Sequence, residues 1–158
     1  MVQVKFRRIS PDAIVPTKAH ASDSGFDLTA VSDPEVSDDG YIQYRTGIAL
    51  ELPVGYEGQI RCRSSISKYH LILANCLGTI DSSFRGELLV RFRPVQNFFD
   101  QGITQDFYAG KPSDYKLYKK GDRIAQLVIV PVPQVELIEV ENLSETARGT
   151  GGFGSTGC

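Results

Sequence analysis

Apolar and polar residues alternate one by one in several short runs of this chain, and this alternation limits its fold more than any other feature. The runs are residues 2–7, 57–63, 87–93 and 135–140. Successive side chains of a β-strand point to opposite faces, so the alternation predicts strands with one buried and one exposed face. Glycine and proline separate the runs at intervals typical of a sandwich or a closed barrel. The pattern predicts an all-β fold.

One segment favours a helix instead. Residues 65–73 carry apolar side chains at positions i, i+3 and i+7, and either Ser64 or Ser65 could cap the N-terminus of a helix there. The sequence therefore predicts one short helix at most. No internal repeat or proline-rich linker divides the chain, so residues 1–158 are interpreted as a single domain.

Charge and cysteine content exclude several classes of protein. The 17 basic and 19 acidic residues give a net charge of −2, whereas nucleic-acid-binding domains carry a strong basic excess. No apolar run approaches the roughly 20 residues of a membrane span, and the chain opens on a predicted strand rather than a signal peptide. The three cysteines are too scattered for a disulfide framework, and their spacing does not match a zinc site. We expect a cytoplasmic protein without nucleic-acid or membrane contacts.

Two segments depart from the strand pattern. Between residues 94 and 122 aromatic side chains accumulate among polar residues and glycines; they are Phe98, Phe99, Phe107, Tyr108, Tyr115 and Tyr118. This aromatic-rich insertion is either a hairpin that packs on the domain or a contact surface for a partner or substrate.

The second segment is the glycine-rich tail, in which five of the last ten residues are glycines. Glycines let consecutive backbone N–H groups turn toward an anion such as phosphate. Arg148, Ser155 and Thr156 can donate further hydrogen bonds, and Phe153 can stack on a flat ring. A disordered tail has the same composition, so both interpretations stay open here.

Three internal segments carry groups suited to phosphate chemistry. Arg63 with the two serines after it could bind an anion, although Ser64 could equally be only a helix cap. Asp23 and Asp27 flank Gly25 and suit Mg²⁺ beside a polyphosphate, or form a surface turn. Gln126 interrupts an apolar run and needs a polar partner, either in the core or on a ligand.

A fourth segment combines a turn with a carboxylate. Asn75 and Gly78 can form a tight turn that reads the edge of a ligand. Asp81 follows an apolar residue, and an ionised carboxylate there could polarise a water molecule. The alternative is an Asx-type turn in which Asp81 bonds its own backbone.

Taken in order, five segments resemble the five motifs of the trimeric dUTP pyrophosphatases (dUTPases). They read ASDSGFDL (21–28), RSSI (63–66), NCLGTIDSSFRGE (75–87), GDRIAQLV (121–128) and RGTGGFGSTG (148–157). The resemblance implies a jelly-roll-like β-barrel, a homotrimer and three active sites shared between subunits. It also implies that the tail, residues 148–158, is mobile when the site is empty and closes over bound nucleotide.

The resemblance implies a role for each matching residue. Asp81 would activate a water that attacks the α-phosphorus of dUTP, giving dUMP and pyrophosphate. Asn75 and the backbone of Gly78, Thr79 and Ile80 would read uracil, and Phe84 would lie under the deoxyribose, where the family usually has tyrosine. The remaining positions would bind Mg²⁺ through water (Asp27), the phosphates (Arg63, Ser64, Ser65 and Gln126), the γ-phosphate (Arg148, Gly154, Ser155 and Thr156) and the uracil face (Phe153).

Some positions differ from the family pattern. Ser65 replaces the usual glycine, Cys62 stands where proline is common, and residues 94–122 exceed the typical connection.

Two alternative functions are weighed. A dCTP deaminase or bifunctional relative would need a base near the pyrimidine C4, and Glu87 is the nearest acid of that motif. A nucleotide-sensing regulator would bind a protein partner through residues 94–122.

Overall fold

The computed structural model describes residues 1–69, 71–95 and 116–152. Within these ranges the chain forms nine strands and one short 3₁₀-helix. The strands are β1 (Lys5–Arg8), β2 (Phe26–Thr29), β3 (Glu35–Val36), β4 (Ile42–Glu51), β5 (Tyr56–Cys62), β6 (Leu71–Leu73), β7 (Gly78–Ile80), β8 (Glu87–Pro94) and β9 (Arg123–Pro131), with the 3₁₀-helix at Ser64–Lys68 between β5 and β6.

The strands form two antiparallel sheets. One sheet has the order β1-β4-β8-β6, with β3 also paired to β4, and the other has the order β2-β9-β5-β7. Buried side chains from both sheets, such as Tyr44 and Phe92 from the first and Leu28 and Ile60 from the second, belong to one hydrophobic core. The all-β, jelly-roll-like prediction is confirmed.

In β8 the alternation that predicted the strand reflects one-sided burial, whereas every residue of β1 is exposed. In β8, Leu88, Val90 and Phe92 are buried, whereas Leu89 and Arg91 between them are exposed. This is the result expected when one face of a strand packs on a core. The part of the chain that the structure describes contains no helix long and apolar enough to cross a membrane.

The helix prediction was partly wrong. The helical turn covers only Ser64–Lys68, its N-cap is Arg63, and no side chain caps it. Leu71–Leu73 is a strand instead, because Leu71 and Leu73 are buried and the segment pairs with β8. The apolar residues at i, i+3 and i+7, which suggested one helix, therefore belong to two successive elements, the 3₁₀-helix with its C-cap and β6.

The strand predicted at residues 135–140 does not form. From residue 131 to residue 150 every side chain is exposed, including Val135 and Leu137 at 73% and 94%. A strand needs a neighbour for its backbone hydrogen bonds, and within the described chain none is paired with this segment. We call residues 132–152 the C-terminal arm.

The aromatic-rich insertion is described only at its ends. Tyr118 is buried in the core. Its ring makes an edge-to-face contact with Tyr44 and a tilted contact with Phe92. For this residue the packing interpretation is confirmed. The other five aromatic residues, Phe98, Phe99, Phe107, Tyr108 and Tyr115, lie outside the described residues.

Candidate active site

Asp27 is the centre of a cluster of charged and polar side chains on the second sheet. It is 8% exposed. Its Oδ1 accepts hydrogen bonds from Arg63 Nε at 3.0 Å and from Gln126 Nε2 at 3.2 Å, and its Oδ2 accepts one from Arg123 Nη1 at 3.0 Å. We call these four residues the Asp27 cluster.

Strand register explains how the cluster forms. Asp27 on β2 lies opposite Gln126 on β9, and Gln126 lies opposite Arg61 on β5, two residues before Arg63. Gly25 leaves the space that Gln126 occupies, because a Cβ at Gly25 would lie 3.0 Å from the Gln126 Cβ. Gln126 thus has the polar partner that the sequence required, and the predicted phosphate residues Arg63 and Gln126 meet Asp27.

Arg123 was missed by the sequence analysis. It lies three residues before Gln126, and on a regular strand this spacing puts two side chains on opposite faces. The register between β2 and β9 shifts after Leu28, so that Arg123 lies opposite Thr29. The shift brings Arg123 to the face that Gln126 uses, and this irregularity has no clear signal in the sequence.

The Asp27 cluster has a surplus of positive charge. One carboxylate faces two guanidinium groups, and the Arg123 side chain is 56% exposed. Guanidinium groups bind phosphate oxygens through parallel hydrogen bonds. Ser64, exposed on the 3₁₀-helix beside Arg63, can add a hydroxyl. The cluster is therefore suited to an anion such as a phosphate chain.

The donor set fits Mg²⁺ only through water. No group of three or more metal-ligating side chains occurs among the described residues. Each carboxylate oxygen can accept about two hydrogen bonds, and Asp27 already accepts three from the described side chains. The position left on Oδ2 suits a metal-bound water. Asp23, the other carboxylate of this segment, accepts from the His20 N–H at 2.9 Å and stabilises a surface turn.

A cavity of about 370 Å³ lies beside the hairpin that contains β7. Its walls include Asn75, Gly78, Ile80 and Phe84, four of the residues predicted to bind the nucleoside. Thr79 between them is exposed. The volume is within the range of about 300 to 1,000 Å³ common for small-molecule sites. The structure thus brings the predicted base and sugar contacts together.

Two glycines shape this hairpin. Gly78 pairs with Ile60, and a Cβ on Gly78 would lie 3.0 Å from the Ile60 Cβ. A Cβ on Gly86 would lie 2.5 Å from the Phe84 ring, so the ring rests on backbone that carries no side chain. Phe84 is 42% exposed and lines the cavity.

Asp81 follows β7 and is exposed. The turn after it is closed through its backbone, since the Asp81 carbonyl accepts from the Phe84 N–H at 3.0 Å. The Asx-type bond weighed for its carboxylate is therefore not needed for this turn. The carboxylate can face a water or a substrate.

Within one chain, Asp81 and the Asp27 cluster are far apart. Ile80 lies opposite Gly58 on β5, five residues before Arg63. At about 3.3 Å per residue, five residues span about 17 Å along a strand. The residues predicted to contact base and sugar and those predicted to contact phosphate therefore form two separate groups on one chain, which we call the hairpin half-site and the phosphate half-site.

Comparison with known proteins identifies the family. The dUTPase family model matches residues 11–100 and 108–157. The chain belongs to the dUTPase family. The deoxyuridine 5'-triphosphate nucleotidohydrolases of Thermobifida fusca (strain YX) and Gloeothece citriformis (strain PCC 7424) are each 40% identical to it. Both alignments cover 99% of this chain, with 79% of the first relative and 97% of the second.

Solved dUTPase structures have the same fold. The Staphylococcus bacteriophage 80alpha dUTPase with dUPNHPP superposes with a TM-score of 0.73 and 31% identity, covering 99% of both chains. A variant of the dUTPase from phage phi11 of S. aureus, described with the coordination of a structural Mg(II) ion, has a TM-score of 0.64 and 26% identity. It covers 89% of this chain and 97% of that one.

Glu87 lines the cavity beside the β7 hairpin, but hydrogen bonds to β4 hold its carboxylate. Its Oε1 accepts from the Gly47 N–H at 2.8 Å, and its Oε2 accepts from Arg45 Nε at 3.0 Å. Gly47 has a φ of +67° at an irregularity in the pairing of β4 with β8. Glu87 therefore anchors the backbone of β4, which disfavours it as the base of a deaminase.

The tail residues of the fifth motif are mostly outside the described residues. Phe153, Gly154, Ser155 and Thr156 all fall there. Arg148 lies on the exposed C-terminal arm, where its Nε donates to the Gly151 carbonyl at 3.0 Å. Whether these residues reach the half-sites stays a prediction of the resemblance.

Proposed function

We propose that this dUTPase-family protein hydrolyses dUTP to dUMP and pyrophosphate, with a water activated by Asp81 attacking the α-phosphorus. The observation that supports this proposal is the cavity lined by Asn75, Gly78, Ile80 and Phe84, with the exposed Asp81 next to it in the chain. The reaction would limit uracil in DNA and supply dUMP for dTMP synthesis. Cys62 and Cys76 are free thiols, in keeping with the predicted cytoplasmic location.

In this proposal the hairpin selects the nucleoside. The Asn75 amide and the backbone of Gly78–Ile80 pair with the edge of uracil, so cytosine presents the wrong donors and acceptors and a 5-methyl group lacks space. The Phe84 ring packs against the deoxyribose and leaves no room for a 2′-hydroxyl. This contact needs the ring and not a phenol oxygen.

In this proposal the phosphate half-site supplies positive charge and hydrogen-bond donors to the phosphate chain of the substrate. Asp81 takes a proton from the attacking water, the new P–O bond forms at the α-phosphorus, and the bond to the bridging oxygen breaks as pyrophosphate leaves. Hydrogen-bond donors that face the phosphates stabilise the charge that develops. They are Arg63, Ser64, Ser65 and Gln126, joined by Arg148, Gly154, Ser155 and Thr156 of the tail, while Phe153 stacks on uracil.

Mg²⁺ is the proposed cofactor, and Asp27 would hold it through water beside the phosphate chain. When bound, it neutralises charge on the phosphate chain. The remaining acceptor position on Asp27 Oδ2 supports this role, and the phi11 dUTPase is described with a structural Mg(II) ion.

We also propose that the protein is a homotrimer whose sites combine half-sites of different subunits. The separation of Asp81 from the Asp27 cluster supports this, because one chain cannot place both on one substrate. The exposed apolar side chains of the C-terminal arm support it too. The arm carries Glu136, Glu139 and Glu141, opposite in charge to the basic edge strand β1, so a second copy is a suitable partner.

The variant Asp81→Asn tests the mechanism. Loss of a general base lowers turnover by about 10²- to 10⁴-fold, and pyrophosphate release from dUTP and Mg²⁺ measures it. Binding of the non-hydrolysable analogue dUPNHPP should be retained. Turnover near that of the wild type would disprove the role of Asp81. Ammonia released from dCTP would instead support the deaminase.

Mixed trimers test the shared sites. Asp27→Ala and Asp81→Asn damage different half-sites, so each variant alone should keep about 1% of wild-type activity or less. After denaturation and refolding of an equal mixture, about a quarter of the sites combine two intact half-sites if adjacent subunits share them. A mixture as inactive as the two variants would contradict sharing, as would a stable monomer in sedimentation.

A second role is proposed for the aromatic-rich insertion. The family model leaves residues 101–107 unmatched, which places extra length in this segment. The 80alpha dUTPase is described among phage dUTPases that control transfer of virulence genes by a G protein-like mechanism. A protein partner bound through residues 94–122 should be lost when residues 101–107 are deleted, with dUTP hydrolysis unchanged. Unchanged binding of that partner would remove this proposal.

A further inference from the structure

The segment between β7 and β8 contains an arginine whose hydrogen bonds, within the described chain, go to backbone carbonyls. Arg85 Nη1 donates to the Ser82 carbonyl at 2.6 Å and to the Phe84 carbonyl at 2.9 Å. A terminal guanidinium nitrogen carries two N–H groups, so it can bond both oxygens at once. Arg85 therefore bridges two peptide groups of the turn that begins at Asp81 and ends at Phe84.

The bridge completes the hydrogen bonding of this turn. On the N-terminal side of Asp81, strand β7 pairs with β5 as far as Ile80. The Asp81 carbonyl then accepts from the Phe84 N–H at 3.0 Å. Phe84 is thus held at its N–H by Asp81 and at its carbonyl by Arg85, while the same guanidinium nitrogen holds the Ser82 carbonyl between them.

Little else can fix the two functional side chains of the turn. Asp81, Ser83, Phe84 and Arg85 are all exposed. A segment with few buried contacts opens easily, and its local order depends on its hydrogen bonds. The bonds from Arg85 therefore help to determine where the Asp81 carboxylate and the Phe84 ring lie relative to each other.

We propose that Arg85 is a positioning residue, which aligns the Asp81 carboxylate with the Phe84 ring through the backbone of the turn. This inference rests on the proposed function, in which Asp81 activates the water and Phe84 contacts the deoxyribose. The position of the sugar sets the position of the α-phosphorus, so in-line attack needs both side chains in place at once. A misplacement of about 1 Å at a reacting group can lower the rate by about a hundredfold.

The variant Arg85→Met tests this role, because it removes the N–H donors and keeps a long side chain. Loss of a hydrogen bond from a charged group corresponds to about a tenfold fall in kcat for dUTP. KM should change by no more than about twofold, since the phosphate contacts are intact. A looser Phe84 ring should also lower the preference for dUTP over UTP in kcat/KM by about fivefold. The melting temperature should change by no more than about 3 °C, because the turn is exposed.

A binding measurement tests the same alignment without hydrolysis. The Kd of UPNHPP, the ribose counterpart of dUPNHPP, divided by the Kd of dUPNHPP reports how well the Phe84 ring excludes a 2′-hydroxyl. This ratio should fall in Arg85→Met by about the same fivefold factor as the preference in kcat/KM.

Two controls separate positioning from other effects. Ser83 is exposed on the same turn, and Ser83→Ala keeps both carbonyls of the bridge, so it should match the wild type. Arg85→Met also removes a positive charge. At 1 M salt the screening length is only about 3 Å, so a loss caused by distant charge would disappear there. The ratio of variant to wild-type kcat should instead be the same at low and high salt.

Several results would overturn the inference. They are wild-type kcat and wild-type discrimination in Arg85→Met, an equal loss in Ser83→Ala, a loss that disappears at 1 M salt, and unfolding of Arg85→Met, which would indicate a structural role. A wild type that binds dUPNHPP but releases no pyrophosphate from dUTP would refute the proposed function alone, since the ratio of the two Kd values still tests Arg85.

Discussion

The two half-sites are built in opposite ways. The Asp27 cluster consists of side chains cross-linked by three hydrogen bonds, and they come from the paired strands β2 and β9 and from the N-cap of the 3₁₀-helix. The hairpin of residues 75–84 instead places backbone and exposed side chains around a cavity at the edge strand β7. The first depends on charge pairing that is complete before ligand binds. The second depends on the shape of a turn and on two glycines.

This difference separates effects on stability from effects on substrate binding. Loss of Asp27 removes the shared acceptor of Arg63, Arg123 and Gln126, so it affects both folding and function. A change in the hairpin alters a surface that few other parts of the fold contact, so it affects substrate binding more than folding. Variants of the Asp27 cluster should therefore lose both stability and activity, whereas variants of the hairpin should lose mainly substrate binding.

Asp27→Ala should have the largest effect. Two guanidinium groups and one amide lose their acceptor, and removal of a partner from a partly buried ion pair costs about 2 kcal/mol of unfolding free energy. Misplacement of Arg63 and Gln126 should lower kcat/KM for dUTP by roughly a hundredfold. Urea unfolding and steady-state kinetics measure the two effects.

Asp23→Ala is the matched control, since Asp23 lies in the same segment and only stabilises an exposed turn. It should stay within about 0.5 kcal/mol of the wild type, as most surface changes do. Equal losses in the two variants would mean that the segment, and not the Asp27 cluster, matters.

Gly25→Ala near the Asp27 cluster and Gly86→Ala beside the hairpin should show the same contrast between stability and substrate binding, with effects smaller than those of Asp27→Ala. At Gly25 the new Cβ meets the Gln126 Cβ at 3.0 Å, next to the backbone of a central strand, so overpacking should cost about 1 to 2 kcal/mol. At Gly86 the new Cβ meets the outer end of the half-exposed Phe84 ring, which can swing into solvent. Gly86→Ala should therefore raise KM for dUTP by about tenfold with little change in melting temperature. A larger loss of stability at Gly86 than at Gly25 would contradict the contrast.

The sequence predicted the hairpin half-site better than the Asp27 cluster. Asn75, Gly78, Ile80 and Phe84 follow one another closely in the chain, so a local turn was enough to bring them together. The Asp27 cluster joins residues that are far apart in the chain, from β2, from β9 and from the N-cap of the 3₁₀-helix. Gln126 was recognised because a polar residue in an apolar run needs a partner, whereas Arg123 depends on a register shift that alternation does not reveal.

The predicted strand at residues 135–140 failed for a related physical reason. Alternation reports which face of a segment is apolar, but a strand also needs backbone partners. The described part of the chain offers none to this segment, and its apolar side chains are exposed. The helix prediction likewise joined the 3₁₀-helix Ser64–Lys68 to β6, because a nine-residue window could not separate two short elements.

Phe84→Tyr should have the smallest effect of all and tests how far the hairpin depends on shape alone. The variant restores the usual family residue and adds one hydroxyl to a ring that is already 42% exposed. Because the proposed contact with deoxyribose uses the ring face, kcat/KM for dUTP should change by no more than about twofold, equivalent to a few tenths of a kcal/mol. Discrimination against UTP should be kept for the same reason, since the ring and not the oxygen fills the space of a 2′-hydroxyl. A tenfold gain in kcat/KM or in that discrimination would show that a phenol oxygen contributes where ring packing alone is proposed.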